Sequence, residues 1–480
     1  MQYKYTVLTN TTIGAFMAQL DSNIVLISLP TIVRNLPGTT AFDALWVVMA
    51  YILAIASLLL VFGRLADMYG RIRLYNAGFA VFTLGSGLCS ISPNGTSLVL
   101  FRAVQGVGAA LVFSNSAAIL TDAFPADERG RAIGINQVTG VSGSVLGLVA
   151  GGVLTSALGW QSVFWINLPV GVFATIWGYT RLRELAVVKR EKPDGLGNIL
   201  FGSGLTVFLV GITLGALEGY TSVLAGVVFA GLACLGAFFY LETRVRAPMM
   251  DMSLFKIRQF TGGILSNLLA SVARGGVLLV LTFYFQGALL LDAFDAGVRL
   301  IPFSIAFVGV GPLSGYLSDR YGARGFSTLG MVTSGLAFLL FASLPTGVSY
   351  SILVIPMIMD GIGAGMFIAP NIASIMNATP VNRRGVASGM SATLLTTGSL
   401  LSLAITFVIM AASIPLNVLQ AIFAGLPVSG AGVVNLEAFT ASMRTNFLVM
   451  AGLSFAAAVP SALRGQRVIG IRAGGTVMTE

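Results

Sequence analysis

A nine-residue pattern, Gly63-Arg64-Leu65-Ala66-Asp67-Met68-Tyr69-Gly70-Arg71, returns 252 positions later as Gly315-Tyr316-Leu317-Ser318-Asp319-Arg320-Tyr321-Gly322-Ala323. The glycines, leucine, aspartate and tyrosine keep one register, and each copy follows a long apolar run. A second pair agrees: Arg129-Gly130, Ala132 and Gly134 recur 255 positions on as Arg384-Gly385, Ala387 and Gly389. A period this long is a duplicated domain, not a stack of short repeats. Whatever fold one half adopts, the other must be able to adopt as well.

Composition fixes the medium of that fold. Only 9% of the 480 residues are charged and 56% are hydrophobic, whereas a soluble globular chain carries about 25% charged residues. A helix needs about 20 mostly apolar residues to cross a bilayer. Such runs lie near 9–32, 44–64, 75–92, 97–120, 132–157, 162–181, 196–215, 221–241, 260–286, 297–317, 325–345, 349–375, 386–412 and 443–463. The expectation is an all-α polytopic membrane protein with fourteen transmembrane helices. The duplication divides it into a first six-helix bundle (1–185), a linker with two extra helices (186–255) and a second six-helix bundle (256–480). Residues 414–442 form a long connection before the last span, with room for a short amphipathic piece.

The basic residues choose a side. Lys4, Arg64, Arg71, Arg73, Arg129, Arg131, the 181–192 cluster, Arg244, Arg246, Lys256, Arg258, Arg320, Arg324, Arg383, Arg384 and the C-terminal arginines all fall on the side of the termini. The exceptions are Arg34, Arg102, Arg274, Arg299 and Arg444. By the positive-inside rule both termini are expected in the cytoplasm of a cell-membrane protein. The net charge of +9 is then topology and not a nucleic-acid surface. Cys89 and Cys234 sit in apolar runs, without disulfide or metal-ligand spacing. The chain has no histidine, which removes the usual proton carrier and metal ligand. No cleavable-signal pattern opens the chain.

Four charges lie inside spans: Asp21, Arg102, Arg274 and Asp360. Each costs about 2.5–3.5 kcal/mol at mid-bilayer on insertion scales, so each is a candidate for function. Asp21 and Arg274 occupy matching places 253 positions apart. Asp360 matches Gln105 at an offset of 255, one turn from Arg102. The first half therefore has its acid on its first helix and its base on its fourth; the second half reverses this. Helical spacing aligns Arg102, Gln105 and Phe113 on one stripe, and Met357, Asp360, Phe367 and Asn371 on another. Asn267 lines up with Arg274. These residues, with Asp21 and Asn23, are the expected lining of a central substrate cavity. With no histidine, a carboxyl must carry any coupled proton. Asp21 and Asp360 are the candidates, with Arg102 as the switch: desolvation and a neighbouring guanidinium pull a carboxyl's proton affinity in opposite senses.

Four motifs resemble the fourteen-span drug:proton antiporter branch of the major facilitator superfamily, whose fold joins two six-helix halves as parallel repeats. They are Leu20-Asp21-Ser22-Asn23-Ile24-Val25 with Leu29-Pro30 in span 1; Gly63, Leu65, Ala66, Asp67, Gly70, Arg71 and Arg73 after span 2; Arg102, Gln105, Gly106, Gly108 and Ala110 in span 4; and Trp160-Gln161-Ser162-Val163-Phe164 with Ile166-Asn167-Leu168-Pro169 before span 6. The resemblance covers essentially the whole chain. Span 5 keeps the glycines Gly143, Gly147, Gly151 and Gly152 for close helix packing, but Leu148 stands where the family's proline is expected.

The resemblance implies proton-coupled efflux of lipophilic, often cationic drugs, as in antibiotic resistance, by a transporter without enzymatic activity. A transporter of a metabolite or organic anion on the same fold is the alternative. It also implies that Asp67 and Asp319 act in cytoplasmic latches, accepting hydrogen bonds from a neighbouring helix start and from arginine. Gly63, Gly70 and Arg71, and in the second copy Gly315, Arg320 and Gly322, complete those latches. The expected partners are a small-molecule substrate, protons and the bilayer. No cofactor, metal or nucleic acid is expected, and the protein is expected to act as a monomer.

Overall fold

Long helices follow where the apolar runs predict them. In a computed structural model, residues 3–125, 128–185, 194–245, 248–380, 383–426 and 432–465 are described. The first stretch gives α1 (Tyr3–Asn35), α2 (Ala41–Tyr69), α3 (Arg71–Ser90), α4 (Gly95–Ala123), α5 (Arg129–Leu158), the short α6 (Ser162–Trp165) and α7 (Asn167–Arg181). A helical pair follows, α8 (Gly195–Glu218) and α9 (Ser222–Glu242). The rest comprises α10 (Arg258–Arg274), α11 (Val277–Phe283), α12 (Ala293–Arg299), α13 (Ile301–Tyr321), α14 (Ala323–Ser343), α15 (Tyr350–Ala378), α16 (Arg384–Ser413), α17 (Leu416–Ala424) and α18 (Gly432–Leu463). Among the described residues, thirteen helices are long and apolar enough to cross a membrane. The fourteenth expected span is α3. It has the length, but Arg71, Arg73 and Asn76 dilute its apolar character. The amphipathic piece expected in 414–442 is α17, whose Val418, Leu419, Ile422 and Phe423 are buried.

Local signals set the ends. Thr40 accepts from the Asp43 amide while Asp43 accepts from the Thr40 amide, a reciprocal cap that starts α2. Asn94 does the same with Ser97 for α4, so Asn94 is the cap and Gly95 and Thr96 open the helix. The repeated loops match in backbone: Gly70 has φ 104° and Gly322 has φ 91°, conformations that side chains rarely adopt.

The duplication persists in the packing. A Cβ on Gly78 would stand 3.0 Å from Gly108 O, and one on Gly330 would stand 2.6 Å from Gly363 O. These pairs lock α3 on α4 and α14 on α15, at repeat offsets of 252 and 255. Along α5, Gly143, Gly147 and Gly151 face the carbonyls of Phe16, Leu20 and Ile24 on α1, where added Cβ atoms would come to 2.5, 2.6 and 2.9 Å. Gly152 instead meets Ala293 of α12 at 2.5 Å.

The two halves meet along α2 and α16, and again at the end of the bundle opposite the basic loops. There α5 packs on α12, Gln286 donates to Ile27 O at 2.7 Å, and Gly425 behind α17 lies against Pro30. Toward the basic end, added Cβ atoms on Gly63, Gly134 and Gly385 would meet open space, whereas one on Gly389 of α16 would stand 2.6 Å from Leu60 of α2. The inserted helix α8 packs on both α2 and α16, with Trp46 Nε1 donating to Thr213 at 3.3 Å.

Candidate functional site

α1 carries Asp21 into the seam with α4 and α7 because its opposite face is held tight against α5 by the Gly143, Gly147 and Gly151 contacts. Asp21 is 0% exposed and Arg102 1%. Arg102 Nη1 donates to Asp21 Oδ2 at 2.6 Å and to Gln105 Oε1 at 2.6 Å. Gln105 Nε2 donates to Asp21 Oδ1 at 2.9 Å. Asn167 Nδ2, the first residue of α7, donates to the same oxygen at 2.7 Å and to Ser86 Oγ at 3.1 Å. Arg102 Nε donates to Val47 O at 3.1 Å, and its guanidinium lies 4.2 Å from the centre of the Tyr51 ring. A charge pair removed from water is tolerated only when such bonds complete it, and here both carboxylate oxygens are engaged.

The second half holds the reversed pair. Arg274 ends α10, directly before the step at Gly275 and Gly276, and its Nη2 lies 3.5 Å from Asp360 Oδ2 on α15. Ser334 Oγ on α14 donates to Asp360 Oδ1 at 2.8 Å. Asp360 Oδ2 and Arg274 Nη1 are buried without a hydrogen-bond partner. The Phe303 ring centre is 5.8 Å from the Arg274 guanidinium. One pair is therefore closed, with both carboxylate oxygens engaged, and the other open and incomplete.

The remaining expected cavity residues are placed differently. Asn267 donates to Ser391 O and Oγ at 3.1 and 3.2 Å, and Asn371 donates to Gly263 O at 3.1 Å. Both are buried braces across helix seams and not lining. Met357 and Phe367 are also buried, in apolar packing. Asn23 is half-buried and donates to Ser144 O on α5 at 2.9 Å. Phe113 is half-buried against the cluster around Tyr51 and Ile55. Helical spacing identifies a shared stripe but cannot tell a helix-facing stripe from a water-facing one.

Of the expected latch around Asp67, the arginine contact is present and the helix-start contact is made by another acid. Arg71 Nη2 pairs with Asp67 Oδ1 at 2.8 Å and Arg71 Nη1 with Asp122 Oδ2 at 2.7 Å, so these charges tie α2, α3 and α4 of the same half. The acid at the start of α3 is Glu184, which accepts from the Ile72 amide at 2.9 Å. A Cβ added to Gly63 would meet open space, and one added to Gly315 would stand 3.6 Å from Ala369. Arg320 is exposed, 5.7 Å from the Tyr321 ring centre. The side chain of Asp319 lies outside the described residues. What crosses at the basic end instead is the segment after α9. Arg64 on α2 donates to Pro248 O, while Arg383, beside α16, pairs with Asp251.

Sequence reading missed Tyr51, Phe303, Ser334 and Asn167 as partners of the charges. Two signals were available. Tyr51 and Phe303 are 252 positions apart, in register with the repeat. Asn167 lies inside the Trp160-to-Pro169 motif.

The family model described as Major Facilitator Superfamily matches residues 11–403 and 263–471. The riboflavin transporter RibZ of Clostridioides difficile is 32% identical over 396 residues, covering 82% of this chain and 85% of that protein. The multidrug resistance protein Stp of Mycobacterium tuberculosis is 33% identical over 408 residues, covering 84% and 75%. Among solved structures, a bacterial homologue of the human lysosomal transporter Spinster superposes with a TM-score of 0.69 at 16% identity, over 96% of this chain and 97% of that one, which speaks for the fold. The chain belongs to the Major Facilitator Superfamily and is a multi-pass membrane transporter.

Proposed function

We propose that this transporter exports lipophilic, often cationic small molecules in exchange for protons. The observation that carries the reading is Asp21: a fully buried carboxylate held by Arg102, Gln105 and Asn167 where α1, α4 and α7 meet. An isolated charge in such a seam is too costly to persist. When the seam opens and the guanidinium recedes, Asp21 takes a proton; when Arg102 returns, the proton leaves. Alternating tilt of the halves thus exposes one carboxyl to each side in turn. Asp360 is the second acid of the cycle. Relatives named for multidrug resistance and for tetracenomycin C export favour efflux.

The protein sits in the cell membrane with the basic end in the cytoplasm, following the distribution of arginines. It works as a monomer, driven by the proton gradient without a cofactor. Its partners are substrate, protons and lipid, and nucleic acid is not among them. The 32%-identical riboflavin transporter, together with the unfilled Arg274, favours a second reading: movement of a polar metabolite or organic anion.

Proteoliposomes loaded with ethidium and given an imposed pH gradient test the first reading. Ethidium flux that follows the gradient, and that Asp21→Asn abolishes, supports it. Flux of ethidium indifferent to the gradient refutes it. Riboflavin moving in its place would establish the second reading.

A further inference from the structure

The Asp21 cluster has no vacancy: its carboxylate oxygens accept from Arg102, Gln105 and Asn167. The Arg274–Asp360 pair has two. Asp360 Oδ2 lacks a donor and Arg274 Nη1 lacks an acceptor, and the two groups approach only to 3.5 Å. A buried polar atom without a partner is costly, so the arrangement calls for something that supplies both. A proton on Asp360 leaves Nη1 unfilled. An anion fills Nη1 but is repelled by the carboxylate, and a cation meets the opposite obstacle. A neutral group presenting an acceptor beside a donor satisfies both atoms at once.

We infer that Arg274 and Asp360 form the polar anchor of the substrate site, and that the anchor takes a carbonyl standing next to an N–H or O–H on the same side, as in imides, lactams and hydroxyketones. The inference rests on the transport reading above and narrows its substrate class. Arg274 Nη1 donates to the carbonyl, and Asp360 Oδ2 accepts from the N–H or O–H. Ser334 holds the other carboxylate oxygen and so fixes the acceptor's direction. The Phe303 ring beside the guanidinium offers a flat apolar wall for the remainder of the ligand. The side chain of Arg274 is 14% exposed, against 1% for Asp360, which makes the guanidinium the side of approach.

A matched pair of probes tests this: 1,8-naphthalimide, which has the imide N–H, and its N-methyl derivative, which keeps the carbonyls but cannot donate. Binding is read by probe fluorescence with the purified full chain in lipid nanodiscs. The wild type is expected to prefer the N–H form by about tenfold, the worth of one hydrogen bond to a charged group. Asp360→Ala should abolish the preference, and Arg274→Gln should weaken both probes. Leu329→Ala, on an exposed face of α14, should change neither. Equal affinity of the wild type for the two probes overturns the inference, as expected if water alone bridges the pair. So does binding of neither probe, or a preference that survives Asp360→Ala. The matched probes decide the matter on the wild type alone, even if a variant does not fold. Intact discrimination with no proton-coupled flux in proteoliposomes would instead sink the transport reading and leave the anchor standing.

Discussion

Tyr51 and Phe303, 252 positions apart, each lay a ring beside the arginine of their own half, although Arg102 stands on α4 and Arg274 on α10. The duplicated scaffold kept the aromatic wall in place while the charges exchanged helices. The rings differ in reach: 4.2 Å to the guanidinium for Tyr51 and 5.8 Å for Phe303. A desolvated cation–π contact contributes about 2 kcal/mol, and less as it lengthens. Tyr51→Leu should therefore lower the melting temperature more than Phe303→Leu. Tyr51→Phe should cost less, since it keeps the ring and gives up the hydroxyl's 3.3 Å bond to Ala18 O. Equal losses for the two leucine variants would remove the guanidinium–ring contact as a term in stability.

Replacing Asp21 by Asn keeps the shape and leaves Arg102 as a buried charge without its counterion. Breaking a buried pair in this way costs about 3–5 kcal/mol. Asp21→Asn should melt well below the wild type and lose gradient-driven flux. Adding Arg102→Met should recover much of the melting temperature without recovering flux. The pair of assays separates roles: recovery of both would make the ion pair structural, and recovery of stability alone makes it part of coupling.

Much of this was readable in the chain. The repeat, the spans and the four intramembrane charges are features of spacing, and spacing survives folding. Reversed polarity between the halves could be read because the offsets of Asp21, Arg274, Gln105 and Asp360 are fixed by the duplication. The fates of Asn267 and Asn371 could not be read. Whether a polar stripe turns to a neighbouring helix or to water depends on crossing angles set by distant contacts, such as Gly263 on Ile375. The surroundings of the Asp67 motif were hidden for a related reason. Asp67 meets arginine as expected, yet the second acid on Arg71 is Asp122 on α4, and the acid at the start of α3 is Glu184. Asn167 was legible as a motif member, but its role depends on where α7 starts relative to α1.

The two loop glycines make a controlled comparison. Both have positive φ, so a side chain at either position strains the backbone by about 1–3 kcal/mol. Their surroundings differ. A Cβ on Gly70 would stand 2.7 Å from Glu184 Oε2, the oxygen that caps the Ile72 amide, whereas one on Gly322 meets open space. Gly70→Ala should therefore lower the melting temperature further than Gly322→Ala, and Glu184→Ala should narrow the gap. If the two alanine variants melt together, the Glu184 cap contributes nothing.

Leu148 tests how the fold meets a departure from its family's pattern. A proline inside a helix costs about 3 kcal/mol, partly because the carbonyl four residues earlier loses its donor. For position 148 that carbonyl belongs to Ser144, and it already accepts from Asn23 Nδ2 at 2.9 Å. α5 is thus supplied with a substitute donor at the point where a proline would break it. A hydrogen bond kept is worth about 1 kcal/mol. Leu148→Pro should then destabilise less than Val145→Pro on the neighbouring turn, and the advantage should vanish in an Asn23→Ala background. Melting curves of the four variants decide it, because equal losses at 145 and 148 would mean that Asn23 serves α1–α5 packing alone.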